Sequence, residues 1–291
     1  MLFRSIGVLR PVAAAGLLGI IPCHVSQIGA MIASGAIGCD AAFVQVSPPD
    51  ADGNHSLGLA SDYVRDAVRK ARVVIAEVNE QTPFTLGDTL LPASAIHLAV
   101  RASRPPVSIP PSPATPTDDA IAGHVAAFID DGAVIQSGIG AAPEAVLRRI
   151  ADRRDLGLHT GMAGDGLVDL VESGALTNAR KEIDAGVSVT GLLFGTERLF
   201  RFAHRNPALA MRGSDYTHGA ATLARLSRLA TINSALEVDL TGQVNAEQSG
   251  DAYLGGTGGQ VDYVRAGARS PGGRSIIALA STARGGSVSR I

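Results

Sequence analysis

Residues 104–119 read RPPVSIPPSPATPTDD and hold six of the chain's fifteen prolines. Proline fixes φ and has no amide hydrogen, so so dense a run excludes a continuous helix or a central strand and favours a stiff, extended connector. Any fold for these 291 residues is therefore assembled from a piece before the connector and a piece after it. The boundaries fall at 1–104 for the first piece, 105–119 for the connector and 120–291 for the second.

Ahead of the connector, AAFVQV (41–46) and VVIAEV (73–78) read as strands and DYVRDAVRKA (62–71) as a helix between them. Apolar runs without alternation predict strands buried on both faces, the habit of parallel sheets, and a strand–helix–strand of this length is a βαβ unit. After the connector the pattern recurs. Thr117 is placed to cap a helix with Ile121, Val125, Phe128 and Ile129 inward. There follow a strand AVIQ, a turn SGIG and a helix from about Pro143. LGLHT is a further strand, GLVDLVESG a helix ending at Gly174, VSVTGLLF a strand, and TERLFRFAHRN a helix capped by Thr196. TINSALEVDL and SIIALAST complete the strands. Two α/β units with mainly parallel sheets are the expected fold class.

Hydrophobic residues make up 46% and charged residues 18%, with net charge −2. That balance excludes a disordered chain and supplies no electrostatic reason for a nucleic-acid partner. Cys23 and Cys39 are too few for a disulfide framework or a zinc site and fit a reducing cytosol. The apolar run 12–21 follows Arg4 and Arg10, but Pro11 interrupts it and it is too short to span a bilayer, so neither a targeting segment nor a membrane association is expected.

In parallel sheets, sites lie at the carboxyl ends of strands. There the chain places Gln136-Ser137-Gly138-Ile139-Gly140, a glycine turn whose free N–H groups suit an anion or a developing oxyanion, or simply a tight turn. Four glycines in six positions, 255–260, form a second such loop. His159 and Asp165 flank Gly161 in HTGMAGDG, either as base and orienter for a water or as a packed histidine and a helix-capping aspartate. Glu77 and Glu247 are carboxylates at or near strand ends. No metal-ligand cluster, Cys–His pair or serine elbow is present in the sequence.

Taken in order, VQVSPPDADGNHSLG, VIAEVN, TLGD, QSGIGAAPEAV, DLGLHTGMAGDGLVDLVESG, INSALEVDLTGQVNAE, GGTGGQVDYVRAGA and PGGRSIIALASTA resemble the acetyl-CoA hydrolase/transferase family, the 4-hydroxybutyrate CoA-transferase type included. The resemblance implies two CoA-transferase-like domains with acyl-CoA as substrate, no permanently bound cofactor, and a small carboxylate as second substrate. It implies a CoA-binding loop at Gln136, Ser137, Gly138, Ile139 and Gly140. It also implies CoA contacts at Gly255 and Gly259 and an oxyanion site at the amides of Gly258 and Gly259. In the family a glutamate attacks the thioester and carries CoA as a glutamyl thioester. Its place in a His-Thr-Glu-Met pattern is taken here by Gly161, which has no side chain to do so. The match also begins inside the family's N-terminal domain, so an incomplete first sheet, and with it a homo-oligomer or a completing partner subunit, is expected. Three functions compete: a transferase using another carboxylate such as Glu247 or Glu77, a thioesterase with His159 or Asp165 activating water, and a non-catalytic acyl-CoA-binding protein. Installing a carboxylate with Gly161→Glu is expected to create or raise transferase activity.

Overall fold

A computed structural model describes residues 11, 12, 15–17, 19, 21–138, 140–249, 252, 253 and 257–291. Ile139 and Gly255 lie outside them. The first piece begins with helix α1 (Val25–Ser34), strand β1 (Ala41–Val46) and helix α2 (Val64–Lys70). Strands β2 (Val73–Asn79), β3 (Leu86–Gly87) and β4 (Leu98–Ala102) follow. The β-branched runs form strands where the sequence predicts them, and β1, β2 and β4 pair parallel in that order.

One face of this sheet packs Ala42, Val46, Val74 and Ala76 against Val68 of α2. The other face is open, contrary to the expectation of strands buried on both sides. Register aligns Phe43, Ile75 and Leu98 across it, and Gln45, Glu77 and Val100 beside them. Phe43 is 76% exposed, and Leu98 and Val100 are more than half exposed. An apolar stripe in water is unfavourable, so a covering surface would stabilise it.

The connector carries no helix or strand between Ala102 and Pro116, but helix α3 (Pro116–Ala126) begins inside its last residues. Its cap is Thr115, not Thr117: the Thr115 hydroxyl accepts from the Asp118 amide at 3.2 Å, and the Asp118 carboxylate accepts from the Thr115 amide at 2.8 Å. Pro116 then sits at the first helical position, where no amide hydrogen is missed. Phe128 lies beyond the helix end and is 57% exposed, whereas Val125 and Ile129 are buried as expected.

Strand β5 (Val134–Ser137), helix α4 (Ala141–Arg149), strand β6 (Gly157–Leu158) and helix α5 (Gly166–Glu172) come next. Helix α4 starts at Ala141, so Pro143 falls in its first turn. The expected strand VSVTGLLF is split: β7 (Ser188–Thr190) ends before Gly191, and Leu192–Leu193 pairs elsewhere, with Met162–Ala163. Helix α6 (Glu197–Ala203) has the expected Thr196 cap, its hydroxyl accepting from the Arg198 amide. Strand β8 (Leu209–Met211), the short helix α7 (Ser214–Thr217), strand β9 (Leu229–Asn233), helix α8 (Gln260–Arg269) and strand β10 (Arg274–Ile277) complete the main elements. TINSALEVDL likewise breaks after Asn233, and Glu237–Val238 turns into a hairpin with Val244–Asn245.

The second piece builds an all-parallel sheet in the order β10–β9–β5–β6. Its core joins Ile135, Leu147, Ile150, Leu170, Leu199 and Ile232. Strand β3, from before the connector, pairs parallel with β8, which pairs with β7. The two pieces thus share a sheet, and the loops at Gly161, Gly191 and Gly213 open on that seam.

Candidate active site

Gly161 leaves β6 through His159 and Thr160. Its carbonyl accepts from the Gly191 amide at 3.2 Å, and the Gly191 carbonyl accepts from the Ser61 amide at 2.9 Å. The Ser214 amide reaches the Asp62 carbonyl at 3.3 Å. Three loops from far apart in the chain therefore converge on Gly161, and the end of α7 and the start of α8 close the circle.

The group that faces Gly161 is His218. A Cβ built on Gly161 would lie 2.5 Å from His218 Cε1 and 2.7 Å from Nε2, and 3.5 Å from the Tyr263 hydroxyl. A Cβ on Gly259 would lie 2.4 Å from the same Nε2 and 2.6 Å from Cδ2. Contacts under 3 Å are closer than carbon tolerates, so the imidazole is seated between two positions that must be glycine for it to sit there. Tyr263 packs against it in a tilted contact, ring centroids 4.7 Å apart and planes at 52°.

Thr217 holds this cluster. Its carbonyl accepts from the Tyr263 hydroxyl at 2.8 Å and from His159 Nε2–H at 3.2 Å. Its hydroxyl lies 2.9 Å from His218 Nδ1 and donates to the Gly213 carbonyl at 3.2 Å. His159 is wholly buried, and its other nitrogen, Nδ1, has no partner among the described residues. Both nitrogens of His159 are thus committed to the interior, and it braces Thr217 rather than facing Gly161.

Burial pushes His159 down to about 4, with the nearby Lys181 charge acting the same way, and burial pushes His218 down to about 3. Both rings are neutral at physiological pH. Asp62 sits in the left-handed region at φ 32°, is buried, and has Oδ1 unpartnered. Burial raises its carboxyl to about 6. Between pH 6.5 and 4 the unfolded chain binds protons at both histidines that the fold refuses, whereas Asp62 binds one in the fold that the unfolded chain refuses. Glu144 and Asp262, whose carboxyls burial also raises, act in the same direction as Asp62, so the histidine contribution is read by difference. The stability lost on acidification is expected to be smaller in His218→Asn than in the unaltered chain, by up to roughly 1.4 kcal/mol per pH unit between about pH 6 and 4. Urea midpoints of both chains at about pH 7 and 5 test it; parallel profiles would mean that the ring is accessible in the fold.

Asp165 neither caps α5 with its side chain nor approaches Gly161. Its carboxylate accepts from the Thr196 amide at 3.0 Å and the Thr196 hydroxyl at 2.7 Å, tying the loop to α6. Glu144, on α4, lies under the same loop, with its oxygens 2.6 and 2.7 Å from where a Cβ on Gly164 or Gly166 would stand. Burial, then the neighbouring Asp165 charge, raises its carboxyl above the usual range. Glu77 is tied to Gln45 at 2.7 Å and to Arg104 on the open face of the first sheet. Glu247 is half-buried in the turn after the 237–245 hairpin, and no contact joins it to Gly161.

Gln136 and Ser137 are buried in β5. The Gln136 amide exchanges hydrogen bonds with Asn233 (3.1 and 3.4 Å), and the Ser137 carbonyl accepts from the Thr160 hydroxyl at 3.1 Å. Their polar groups lock β5 to its neighbours, and the Gly138 amide, expected to be free, donates to the Ile232 carbonyl at 3.2 Å, because the turn is still paired to β9 there. Gly140, at φ 123°, is a conformation that requires glycine. Gly259 stands at the N-terminus of α8, and the Gly258 carbonyl accepts from the Val25 amide at 3.1 Å. The start of α8, whose first-turn amides have no acceptor within the helix, therefore stands beside His218.

A cavity of about 650 Å³ is lined by Pro48, Thr82, Phe84, Pro105, Phe200 and Arg205 among others, and none of the residues around Gly161 lines it. Among the described residues no cluster of His, Cys, Asp or Glu is arranged to hold a metal ion, and no helix is long and apolar enough to cross a membrane.

The sequence reading singled out neither His218 nor Asp62. His218 ends the segment SDYTH ahead of a glycine, and Asp62 precedes α2; neither lies in a glycine-rich loop at a strand end. Only their meeting at Gly161 marks them.

Two family models match the chain: the acetyl-CoA hydrolase/transferase N-terminal domain over residues 4–111 and its C-terminal domain over 195–291. The 4-hydroxybutyrate coenzyme A transferase of Clostridium kluyveri is 38% identical over 285 residues, 98% of this chain and 66% of that protein. A succinyl-CoA:cyclohexane-1-carboxylate CoA transferase of Geobacter metallireducens is 37% identical over 252 residues, 87% of this chain and 58% of that protein. The chain thus spans less than two thirds of these relatives. The crystal structure of RipA from Yersinia pestis superposes with a TM-score of 0.93 at 35% identity, over 99% of this chain and 67% of that one. A 4-hydroxybutyrate CoA-transferase from Porphyromonas gingivalis superposes at 0.86 and 33% identity, over 98% of this chain and 70% of that one.

Proposed function

The chain belongs to the acetyl-CoA hydrolase/transferase family, and from that premise we propose that it acts on a short-chain acyl-CoA, cleaving the thioester rather than passing CoA through a glutamyl intermediate. The observation that carries this reading is Gly161: the position matched to the family's nucleophile holds no carboxylate, and a neutral imidazole fills the space beside it. Coenzyme A enters as substrate, not as a resident cofactor. The first-turn amides of α8, which have no acceptor within the helix, suit the oxyanion of an attacked thioester, and the glycine backbone at Gly140 suits the close approach of a phosphate-bearing ligand.

Two other readings have their own support. CoA transfer to a small carboxylate is favoured by the names of the relatives, five of the six being CoA transferases at 34–38% identity over most of this chain, and Asp62 is a buried carboxylate near the site. Acyl-CoA binding without turnover is favoured by the tight seating of His218. A partner copy or subunit over Phe43, Leu98 and Val100 would cover the open sheet face, and the two free cysteines suit a reducing, cytoplasmic setting.

Incubating the purified chain with acetyl-CoA, with and without a panel of carboxylates, and quantifying every CoA species by chromatography separates the readings. Free CoA without an acceptor is the expected result. New acyl-CoA appearing only with an acceptor would overturn hydrolysis in favour of transfer, and intact acetyl-CoA from a sample that binds it would leave the binding role.

A further inference from the structure

We propose that His218 Nε2 is the general base that activates the attacking water at this site, in the place beside Gly161 where the family matches a glutamate. The inference rests on the acyl-CoA reading above.

The geometry selects this atom. Of the ring's atoms, Nε2 alone lies within 2.7 Å of the Cβ positions of both Gly161 and Gly259. It therefore stands where the strand-end loop and the start of α8 meet. Nε2 has no hydrogen-bond partner among the described residues, whereas Nδ1 lies 2.9 Å from the Thr217 hydroxyl. That hydroxyl has one proton and gives it to the Gly213 carbonyl, so Nδ1 carries the ring hydrogen and donates to the Thr217 oxygen. The network thereby leaves the lone pair on Nε2. His159 and Tyr263, both spent on the Thr217 carbonyl, hold the residue that orients the ring. The arrangement is a base with a positioned orienter, and the two positions on either side of its reacting nitrogen, Gly161 and Gly259, carry no side chain.

The chemistry balances without a further reactant. Nε2 takes a proton from water as the water oxygen bonds to the thioester carbonyl carbon, and the negative charge on the carbonyl oxygen faces the amides of α8. The C–S bond then breaks, the sulfur takes the proton back from Nε2, and free CoA thiol, a carboxylic acid and a neutral imidazole result.

The test uses the full chain with acetyl-CoA and a non-hydrolysable thioether analogue of it. His218→Asn keeps a side-chain hydrogen-bond donor but no base, and His218→Gln keeps bulk closer to the ring's. Both are expected to bind the analogue as the unaltered chain does and to release CoA at least ~100-fold more slowly, the usual scale for a lost general base. Analogue binding by calorimetry and a cooperative urea transition show that the variants fold. Unchanged CoA release in His218→Asn would overturn the assignment, because a donor alone would then suffice. Analogue binding with no CoA release by the unaltered chain would overturn it as well. Absence of binding by the unaltered chain would remove the acyl-CoA reading itself, and this assignment with it.

Discussion

Gly161→Glu, made alone, is expected to yield no glutamyl-CoA adduct and to destabilise the chain by about 1–3 kcal/mol, the scale of overpacking a filled interior. The sequence by itself suggests the opposite, since restoring the family's glutamate should restore its chemistry. The structure changes the expectation because the first added carbon would fall 2.5 Å from His218 Cε1. The ring has nowhere to retreat: Gly259 backs it on one side, the tilted Tyr263 ring packs against it, and Thr217 holds Nδ1. Pairing Gly161→Glu with His218→Ala vacates that space. The double variant is expected to recover stability relative to the single one and to form an adduct with acetyl-CoA that borohydride traps and mass spectrometry places at residue 161. An adduct in the single variant would mean that His218 swings clear on its own. No adduct in either would mean that Gly161 is not the position of the family nucleophile.

Asp88→Ala should cost about 2–3 kcal/mol of stability. Asp88 Oδ2 meets Arg65 Nη1 at 3.0 Å and accepts from the Gly213 amide at 3.3 Å, while Oδ1 meets Arg212 Nη1 at 3.1 Å. Arg65 is the less exposed of the two guanidinium groups and keeps Asp66 and Asp215 when Asp88 is lost. Arg212 keeps no ion pair among the described residues, and its Nε is already buried without a partner. Removing one partner of such a network leaves charge stranded in a poor solvent, which costs 3–5 kcal/mol when fully buried. The partial exposure here lowers that figure. Asp88 also follows β3, so its loss loosens the pairing of β3 with β8 and the loop leading to His218. A urea midpoint that falls in Asp88→Ala and recovers partly in Asp88→Asn supports this account. An unchanged midpoint would show that the network is only a solvated surface cluster.

Local chemistry was readable in the chain. The β-branched runs at 41–46 and 73–79 form parallel strands, Thr196 caps its helix, and the proline run carries no helix or strand before Thr115. Where local reading went astray, a neighbouring signal of equal strength won. Pro116 at the first helical position made Thr115 rather than Thr117 the cap. Gly191 and the turn after Asn233 cut strands that looked continuous, because the segments beyond them pair with different partners.

The motifs of the family resemblance also point, without any coordinates, to Gly161 as the position matched to the nucleophile, and glycine has no side chain to serve as one. They could not say what stands in its place. Propensity and pattern act over a few neighbouring residues, whereas the contact between His218, Gly161 and Gly259 joins three segments that meet only when β3 and β8 share a sheet and α8 starts against α1. Burial, and with it the neutral state of His159 and His218 and the raised carboxyl of Asp62, arises from that same convergence. The sequence determined that residue 161 carries no side chain; the tertiary structure decided what stands beside it, because desolvation and steric contact belong to the assembled loops and not to any one of them.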